Sequence, residues 1–222
     1  MTSPAPVLRG GELAPHLLWL DLEFGGLQIH QPILEIAAIV TTRGLKELAR
    51  FHQVIHYEPG DLKNLDAWSK QQHRQSGLLA AVARETCGLA QAVTRFGAFL
   101  DQYRFGAKLM VAGSSVAQDL HFIRHHMPQL VSRFTYKTLD VTTFLNAAQF
   151  WAPYLHASAP RKATDHRAMG DIESSLNLMR FYFINIFAAA QKAHRQHGLY
   201  TWSQVQPHFG PPAQPLHRPI NL

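Results

Sequence analysis

The first part of the chain contains three apolar runs separated by short turn segments, and this order restricts the possible folds more than any other feature. The runs are LLWLDLEF (residues 17–24), ILEIAAIVTT (33–42) and LARFHQVIHY (48–57). Runs of this length with β-branched and aromatic residues predict strands, and the Gly and Pro residues between them predict turns. Because the connections are short, we expect these strands to form an antiparallel meander at one side of a sheet.

After this meander, predicted helices alternate with short strands. Apolar residues at helical spacing predict helices in 65–83, 89–103, 114–127, 142–151 and 163–187, and KLMVAG (108–113) and KTLDV (137–141) predict strands. A serine is expected to cap the helix in 114–127. The alternation predicts an α/β fold, in which a mixed sheet carries helices on both faces. From about His197 onward, five prolines predict an extended tail.

The composition limits the class of protein and its compartment. Of the 222 residues, 46% are hydrophobic and 16% are charged, which is typical of a globular chain with one domain and appendages. No apolar run is long enough to span a membrane, and the first residues lack the pattern of a secretory signal. Because Cys87 is the only cysteine, no internal disulfide can form. We therefore expect a cytoplasmic protein that is not inserted in a membrane.

The formal net charge is +6, and the basic residues are clustered. No acid occurs between Asp119 and Asp140 and none follows Glu173, whereas Lys, Arg and His are frequent in both stretches. Positive charge beside carboxylates fits a protein that binds a polyanion and holds a metal near it. A generally basic surface explains the charge equally well, so charge alone does not establish a nucleic-acid partner.

Two acids, Asp21 and Glu23, lie two positions apart in the first predicted strand. Alternate residues of a strand face the same side, so both carboxylates project together while Leu22 faces away. Such a pair repels unless a cation neutralises it, and oxygen ligands of this kind suit Mg²⁺ or Mn²⁺. The alternative for this pair alone is two acids at a strand end that face solvent.

Two further acids and a histidine extend the candidate site. Asp119 is predicted on the helix after KLMVAG, at the carboxyl end of a strand, where parallel sheets usually have their ligand sites. Asp171 is predicted in the first turns of the last helix. His166 precedes Asp171 by five residues, about 140° around a helix, so the two would not share a helix face. We therefore expect His166 at the helix entrance, behind a cap at Thr164 or Asp165. An ordinary surface histidine is the alternative, since the chain has 14 histidines.

Six segments of the chain resemble oligoribonuclease, the branch of the DEDDh 3′-to-5′ exonucleases that degrades short RNA and has a ribonuclease H-like fold. They are WLDLEFGGL, ILEIAAIV, LDAWSKQQHRQSGL, GSSVAQDLHFIRHHMPQL, YKTLDVTTF and DHRAMGDIESS. The similarity runs in the same order from about His16 to Phe187. It implies an N-terminal segment at 1–15, an exonuclease domain at 16–187 and a basic, Pro-rich C-terminal extension at 188–222.

The resemblance implies a catalytic site with two divalent cations, Mg²⁺ or Mn²⁺. Asp21, Glu23 and Asp171 would hold the ion that activates water. Asp21 and Asp119 would hold a second ion that stabilises the leaving 3′ oxygen. His166 would take the proton from the attacking water. The product would be a nucleoside 5′-monophosphate, released from the 3′ end of short single-stranded RNA.

Other residues match positions where the family contacts the 3′ end of its substrate. Leu22 and Trp68 match positions that sandwich the terminal bases, by stacking that does not depend on base identity. His73 matches another substrate contact. For Trp68 the alternative is an aromatic side chain that packs between helices.

A cluster that caps the 5′ phosphate makes the family favour very short RNA, and the matching positions are Ser115, Tyr136, Lys137 and Thr142. In the family the tyrosine comes from the second subunit of a homodimer, so a homodimer is expected, with Tyr136 acting across the interface. The family usually has Arg at position 137 and Ser at 142. Lys keeps the charge but loses the two-pronged geometry of Arg, so a weaker preference for dinucleotides is expected.

Three other features depart from the family: Gly25 replaces a usual Thr, Gly170 replaces a usual Asp, and the loop at 156–166 differs. All four metal-binding carboxylates and His166 are present, so catalysis is expected to be kept. Two alternatives stay open. One is a broader DEDDh exonuclease that acts on RNA ends or single-stranded DNA. The other is a nucleic-acid-binding protein that kept the fold without the chemistry.

Overall fold

The computed structural model describes residues 13–161 and 166–198, and its centre is a five-stranded sheet. The strands in chain order are β1 (Leu13–Phe24), β2 (Ile33–Thr42), β3 (Glu47–Val54), β4 (Lys108–Gly113) and β5 (Phe134–Asp140). Their spatial order is β3-β2-β1-β4-β5. The first three strands pair antiparallel, whereas β1 with β4 and β4 with β5 pair parallel. The predicted meander and the predicted mixed sheet are confirmed.

The α-helices in chain order are α1 (Ala67–Gln75), α2 (Leu78–Arg84), α3 (Leu89–Arg104), α4 (Ala117–His126), α5 (Val141–Trp151), α6 (Pro153–Ser158), α7 (Ala168–Tyr182) and α8 (Ala189–His197). A 3₁₀ helix, Pro128–Arg133, follows α4, and a π-helical segment, Phe183–Ala188, precedes α8. The chain divides into two compact units between Tyr182 and Phe183. In the second unit the described residues are the π-helical segment, α8 and Gly198, and the predicted Pro-rich tail lies outside the described residues.

The two faces of the sheet are covered by different helices. On one face, Leu18, Leu20 and Leu22 of β1 join a buried core with apolar residues of α3 and α4. On the other face, α7 packs against β1 and β2. The expected helices on both faces are therefore confirmed, and the alternation along β1 determines which side chains face which layer. In the described residues no helix is long and apolar enough to cross a membrane.

The predicted helices 65–83 and 114–127 differ from the structure in ways that local backbone geometry explains. The segment 65–83 forms two helices, because Gly77 between them has φ 73°, a left-handed conformation that interrupts a helix. The predicted serine cap of α4 is wrong. The N-cap residue is Val116, without a side-chain hydrogen bond, and Ser115 has φ 55° instead of the extended backbone of a capping serine.

The last helix of the first unit starts later than 163, and its start is tied to the sheet. It begins at Ala168, and residues 162–165, including both predicted caps, lie outside the described residues. The Ala168 amide donates to Glu35 Oε2 of β2 over 3.0 Å. Arg167 also donates to Glu35, from Nε over 3.0 Å and from Nη2 over 2.5 Å. Glu35 is completely buried, so these donors replace the water that its carboxylate has lost.

The hydrogen bonds that attach α7 to Glu35 also lower the pKa of the Glu35 carboxyl. Burial of the carboxylate raises its pKa, but hydrogen bonds from His52, Arg167 and the Ala168 amide outweigh burial and lower the pKa to about 2 from an ordinary 4.5. A carboxyl whose folded pKa is depressed stabilises the fold above its unfolded pKa. That stability is lost as the pH falls through the folded pKa. The relevant window for Glu35 is therefore from about pH 4.5 down to about pH 2.

We expect Glu35→Gln to lower the free energy of unfolding most at neutral pH. The pKa shift from 4.5 to about 2 corresponds to about 3 kcal/mol, and the difference from the wild type should shrink as the pH falls below 4.5. Urea unfolding at pH 7, 4 and 3 measures it. Glu58→Gln, at an exposed glutamate, is the matched control. A difference that stays constant from pH 7 to pH 3 would contradict this assignment.

Candidate active site

Three of the predicted metal-binding carboxylates lie together at the carboxyl end of β1. Asp21, Glu23 and Asp171 each provide an oxygen, and these oxygens lie within 4.8 Å of one another. Asp21 and Glu23 share one face of β1, and Asp171 comes from the first turn of α7. Oxygen ligands of one Mg²⁺ ion lie about 3–4 Å apart. The cluster therefore fits a divalent cation after a small contraction.

Asp171 lies in the first turn of α7, and hydrogen bonds at Ala168 and Ser175 attach this part of the helix to the sheet. Besides the bond from Ala168 to Glu35, the Ser175 hydroxyl lies 2.8 Å from the Ser114 hydroxyl, directly after β4. Ser175 Oγ donates to the Asp171 carbonyl over 2.9 Å. Ser114 Oγ is then the donor to Ser175 Oγ, because each hydroxyl has one proton. These contacts hold the buried Asp171 beside β1.

Asp119 reaches the same end of β1 from α4. Its carboxylate is buried, and Oδ1 accepts a hydrogen bond from the Leu22 amide over 2.9 Å. It is not one of the three carboxylates that approach within 4.8 Å, so the structure brings together three of the four predicted ligands directly. Asp119 is placed next to them by the backbone of the residue between Asp21 and Glu23.

His166 lies directly before α7, at the helix entrance that the sequence predicted. Its φ is 48°, so its backbone is left-handed and cannot continue the helix. Its ring is 5.9 Å from the Trp68 ring, centroid to centroid, and the two rings are nearly perpendicular. The histidine and the tryptophan that the sequence analysis singled out separately therefore belong to one site.

A cavity of about 650 Å³ lies beside Glu23, and its lining includes Leu27, Trp68 and His73. The Trp68 side chain is 63% exposed, which excludes the alternative that it packs between helices. Leu27 is 79% exposed, whereas Leu22 is 4% exposed and packs in the core. The prediction that the Leu22 side chain contacts a base conflicts with this burial. Leu27, which sequence reasoning missed, is the exposed leucine of this cavity.

His73 is buried at the side of this cavity and is neutral for a physical reason. Burial lowers its pKa, although the hydrogen bond from Nε2 to the Phe24 carbonyl, over 2.7 Å, opposes that shift. In a neutral ring with a proton on Nε2, Nδ1 is an acceptor. Nδ1 has no hydrogen-bond partner and lies 3.9 Å from Glu23 Oε2. The ring therefore offers one unused acceptor next to a metal-binding carboxylate.

The helix that carries Trp68 and His73 is attached to the end of β1 through Gly25. Asp66 caps α1 with hydrogen bonds from the Trp68 and Ser69 amides, and its own amide donates to the Gly25 carbonyl over 2.8 Å. A Cβ at position 25 would lie 2.3 Å from Leu65 Cδ2. The absence of a side chain at Gly25 is what lets this segment approach the strand end.

A second cavity, of about 560 Å³, is lined by Ser115 and Thr142, two of the predicted phosphate-capping residues, and by His156 and Arg161. The Ser115 and Thr142 hydroxyls are 3.4 Å apart. Asp140 Oδ1 accepts from both of their amides, over 3.0 Å and 2.9 Å. Arg161 lies in the loop that departs from the family, where no sequence pattern pointed to it.

Tyr136 and Lys137, the other two predicted capping residues, lie on the edge strand β5. Tyr136 is 84% exposed, and Lys137 Nζ is 5.8 Å from the centroid of its ring. Neither is among the described residues that line the second cavity, so the structure of this chain does not bring all four predicted capping residues together. The basic residues that do line it are His156 and Arg161.

Residues 18–179 match the family described as Exonuclease. Among similar proteins, the mitochondrial oligoribonuclease of Mus musculus is 36% identical over 185 residues, which cover 82% of this chain and 78% of the relative. The oligoribonuclease of Coxiella burnetii is 39% identical over 169 residues, 75% of this chain and 92% of the relative. That of Pseudomonas aeruginosa strain PAO1 is 37% identical over 169 residues, 75% and 93%.

The fold is also similar to solved structures of exonuclease I. One of them superposes with a TM-score of 0.58 at 14% identity and covers 82% of this chain but 44% of that one. A structure of Escherichia coli exonuclease I with a dT13 oligonucleotide has a TM-score of 0.54 at 11% identity and covers 82% and 43%. This likeness concerns the fold, and the chain spans less than half of exonuclease I. With its carboxylate cluster and His166, the chain belongs to the DEDDh 3′-to-5′ exonucleases, in their oligoribonuclease branch.

Proposed function

We propose that the protein hydrolyses short single-stranded RNA from its 3′ end and releases nucleoside 5′-monophosphates. The observation that carries this proposal is the cluster of Asp21, Glu23 and Asp171 beside a cavity with an exposed tryptophan. Carboxylates can bind the metal ions that assist phosphodiester hydrolysis, and an exposed indole can stack on a base. The relatives named oligoribonuclease supply the substrate class. Hydrolysis of end-labelled RNA of two to about ten nucleotides, with matched DNA, separates this activity from a broader exonuclease.

The carboxylates would bind two divalent cations, Mg²⁺ or Mn²⁺. Asp21, Glu23 and Asp171 would hold one ion, and Asp21 and Asp119 would hold the other. Bound there, the ions would activate water and stabilise the leaving 3′ oxygen. The place of Asp119 in this set is supported by its Oδ1, which lies 2.9 Å from the amide of Leu22, the residue between Asp21 and Glu23.

His166 would act as the general base and accept the proton of the attacking water. Two observations support this role: the His166 ring lies 5.9 Å from the Trp68 ring, and His166 precedes the helix whose first turn carries Asp171. An imidazole has an intrinsic pKa near neutrality, which suits proton transfer at physiological pH.

The 3′ end of the substrate would bind in the cavity beside Glu23. The terminal bases would stack on Trp68 and contact Leu27, the exposed apolar side chains of its lining. His73 would support this end of the substrate from the cavity wall, where its Nδ1 lies 3.9 Å from Glu23 Oε2. This assignment replaces the Leu22 side chain by that of Leu27.

The second cavity would hold the 5′ phosphate and so limit substrate length. The Ser115 and Thr142 hydroxyls can donate to phosphate oxygens, and Arg161 can provide the two-pronged cation that position 137 lacks in this chain. Lys137 would contribute from the edge strand, together with Tyr136 of the partner subunit.

The protein would act as a homodimer in the cytoplasm. Four aromatic side chains of β5, α5 and α6 are exposed, namely Tyr136, Phe150, Trp151 and Tyr154, which together we call the aromatic surface. Exposed aromatic side chains of this kind are typical of interfaces, and β5 is an edge strand. The free, buried thiol of Cys87 fits a reducing compartment.

Activity should require a divalent metal and the carboxylate cluster. We expect Asp21→Ala to lower kcat/KM at least about 1000-fold, because several kcal/mol of transition-state stabilisation depend on the ions that it binds. Hydrolysis of a labelled RNA dinucleotide, with and without chelator, measures this. Asp61→Ala, an exposed acid outside the cluster, should leave the rate unchanged. Full activity in excess chelator would refute the metal assignment.

Substrate length should depend on Arg161. We expect Arg161→Gln to reduce the preference for RNA of two over five nucleotides roughly tenfold, because a charge-assisted hydrogen bond to the phosphate is lost. Lys137→Arg should increase that preference. The measurement is kcat/KM against length, with 5′-phosphorylated and 5′-hydroxyl substrates. Length profiles that are the same for both variants and the wild type would exclude a phosphate cap formed by these residues.

The aromatic surface should be required for dimerisation. We expect Trp151→Glu to shift the protein to a monomer. Dimerisation would bury the new carboxylate at an aromatic interface, where no cation compensates for the lost water. Light scattering at assay concentration measures the mass, and Leu48→Glu on the opposite edge strand, β3, is the control. A fully active wild-type monomer would show that no partner subunit is needed.

A further inference from the structure

The most deeply buried acid near the site is not one of the predicted metal ligands. Glu35 is completely buried, and its Cα is paired with that of Glu23 across β1 and β2. We propose that Glu35 is a positioning residue that fixes His166 for catalysis by clamping Arg167, the next residue along the chain. This inference rests on the proposed role of His166 as the general base.

Glu35 accepts hydrogen bonds from both residues that follow His166, and we call these contacts the clamp. Arg167 Nε lies 3.0 Å from Glu35 Oε1 and 3.2 Å from Oε2, and Nη2 lies 2.5 Å from Oε1. The Ala168 amide lies 3.0 Å from Oε2. Both carboxylate oxygens are therefore engaged by consecutive residues, and a charge-assisted contact of this kind has little freedom to rotate. These contacts hold the backbone that follows His166 against β2.

The conformation of His166 makes such a clamp necessary. A φ of 48° is disfavoured for a residue with a Cβ, and it persists only where the surrounding structure holds it. The contacts of Arg167 and Ala168 fix the chain on the carboxyl side of His166. Without them this backbone can relax toward the commoner conformations, which would rotate the imidazole away from the site.

The same interaction keeps Glu35 from acting as a competing metal ligand. Glu35 and Glu23 face each other on neighbouring strands, where directly opposed side chains lie about 5 Å apart. Arg167 neutralises Glu35, and His52 Nε2, from β3, adds a further contact over 2.6 Å. Both oxygens of Glu35 are thus engaged by protein donors, and the cluster that can take a cation is formed by Asp21, Glu23 and Asp171.

Asp171 has supports that do not depend on Glu35. The Ser114–Ser175 hydrogen bond joins α7 to the end of β4, and Ser175 Oγ donates to the Asp171 carbonyl. Loss of the clamp should therefore disturb His166 more than the carboxylate cluster. This separation makes the role of Glu35 testable.

The experiment compares Glu35→Gln and Arg167→Gln with the control Arg50→Gln, which removes an exposed ion pair to the same helix. In both clamp variants kcat on an RNA dinucleotide should fall roughly 30- to 100-fold, because displacing a catalytic group by about 1 Å can cost about 10²-fold. KM should change less than about threefold. Mn²⁺ affinity should stay close to that of the wild type. Arg167 is partly exposed, so its variant tests the proposal if Glu35→Gln folds poorly.

A double-mutant cycle with His166→Ala distinguishes positioning from general destabilisation. If Glu35 acts through His166, then Glu35→Gln should lower kcat less than about threefold in the His166→Ala background, because the group that it positions is absent. The NMR signals of the His166 ring should shift in both clamp variants but not in Arg50→Gln. Additive losses, or a fall in Mn²⁺ affinity equal to the fall in kcat, would overturn the proposal.

The two proposals fail in different ways. A wild-type protein that does not hydrolyse RNA would refute the proposed function, and the His166 ring signals would still decide whether Glu35 fixes that side chain. An active wild type with normal kcat and unchanged ring signals in the clamp variants would refute the role of Glu35 alone.

Discussion

The two-residue alternation along β1 is the constraint on which the rest of the structure depends. Leu18, Leu20 and Leu22 face the core, so Asp21 and Glu23 must face the opposite layer, where α7 brings Asp171. A shift of the strand by one residue would turn both carboxylates toward the core under α3 and α4 and the leucines toward the layer of α7. Because β1 pairs with β2 on one side and with β4 on the other, such a shift would break two ladders at once.

Features that depend on neighbouring residues were predictable from the sequence. The strand 33–42 was predicted with its observed bounds, because a continuous apolar run between Pro32 and a turn has few other solutions. The placement of Asp119 after β4 and of His166 before the last helix followed in the same way. The carboxylates that can bind metal are therefore recognisable from the sequence alone.

Features that depend on distant contacts were not predictable in this way. Ser115 looked like a helix cap, but its amide is bound by Asp140, 25 residues away, and its backbone is left-handed. Glu35 looked like one acid within an apolar strand, and its partner Arg167 is 132 residues distant. Leu22 and Leu27 flank the same strand end, and only the fold determines which of them is exposed.

The close packing around Gly25 links two positions that are 40 residues apart in the chain. The resemblance to oligoribonuclease implies a threonine at position 25, yet in this chain a Cβ there would meet Leu65 Cδ2 at 2.3 Å, Pro32 Cδ at 2.9 Å and Gln31 Oε1 at 3.0 Å. Restoring the threonine thus requires a compensating change at Leu65 or a repacking of the segment that leads to Trp68. The effect of a side chain at position 25 therefore depends on which residue occupies position 65, and substitutions at these two positions should not be additive.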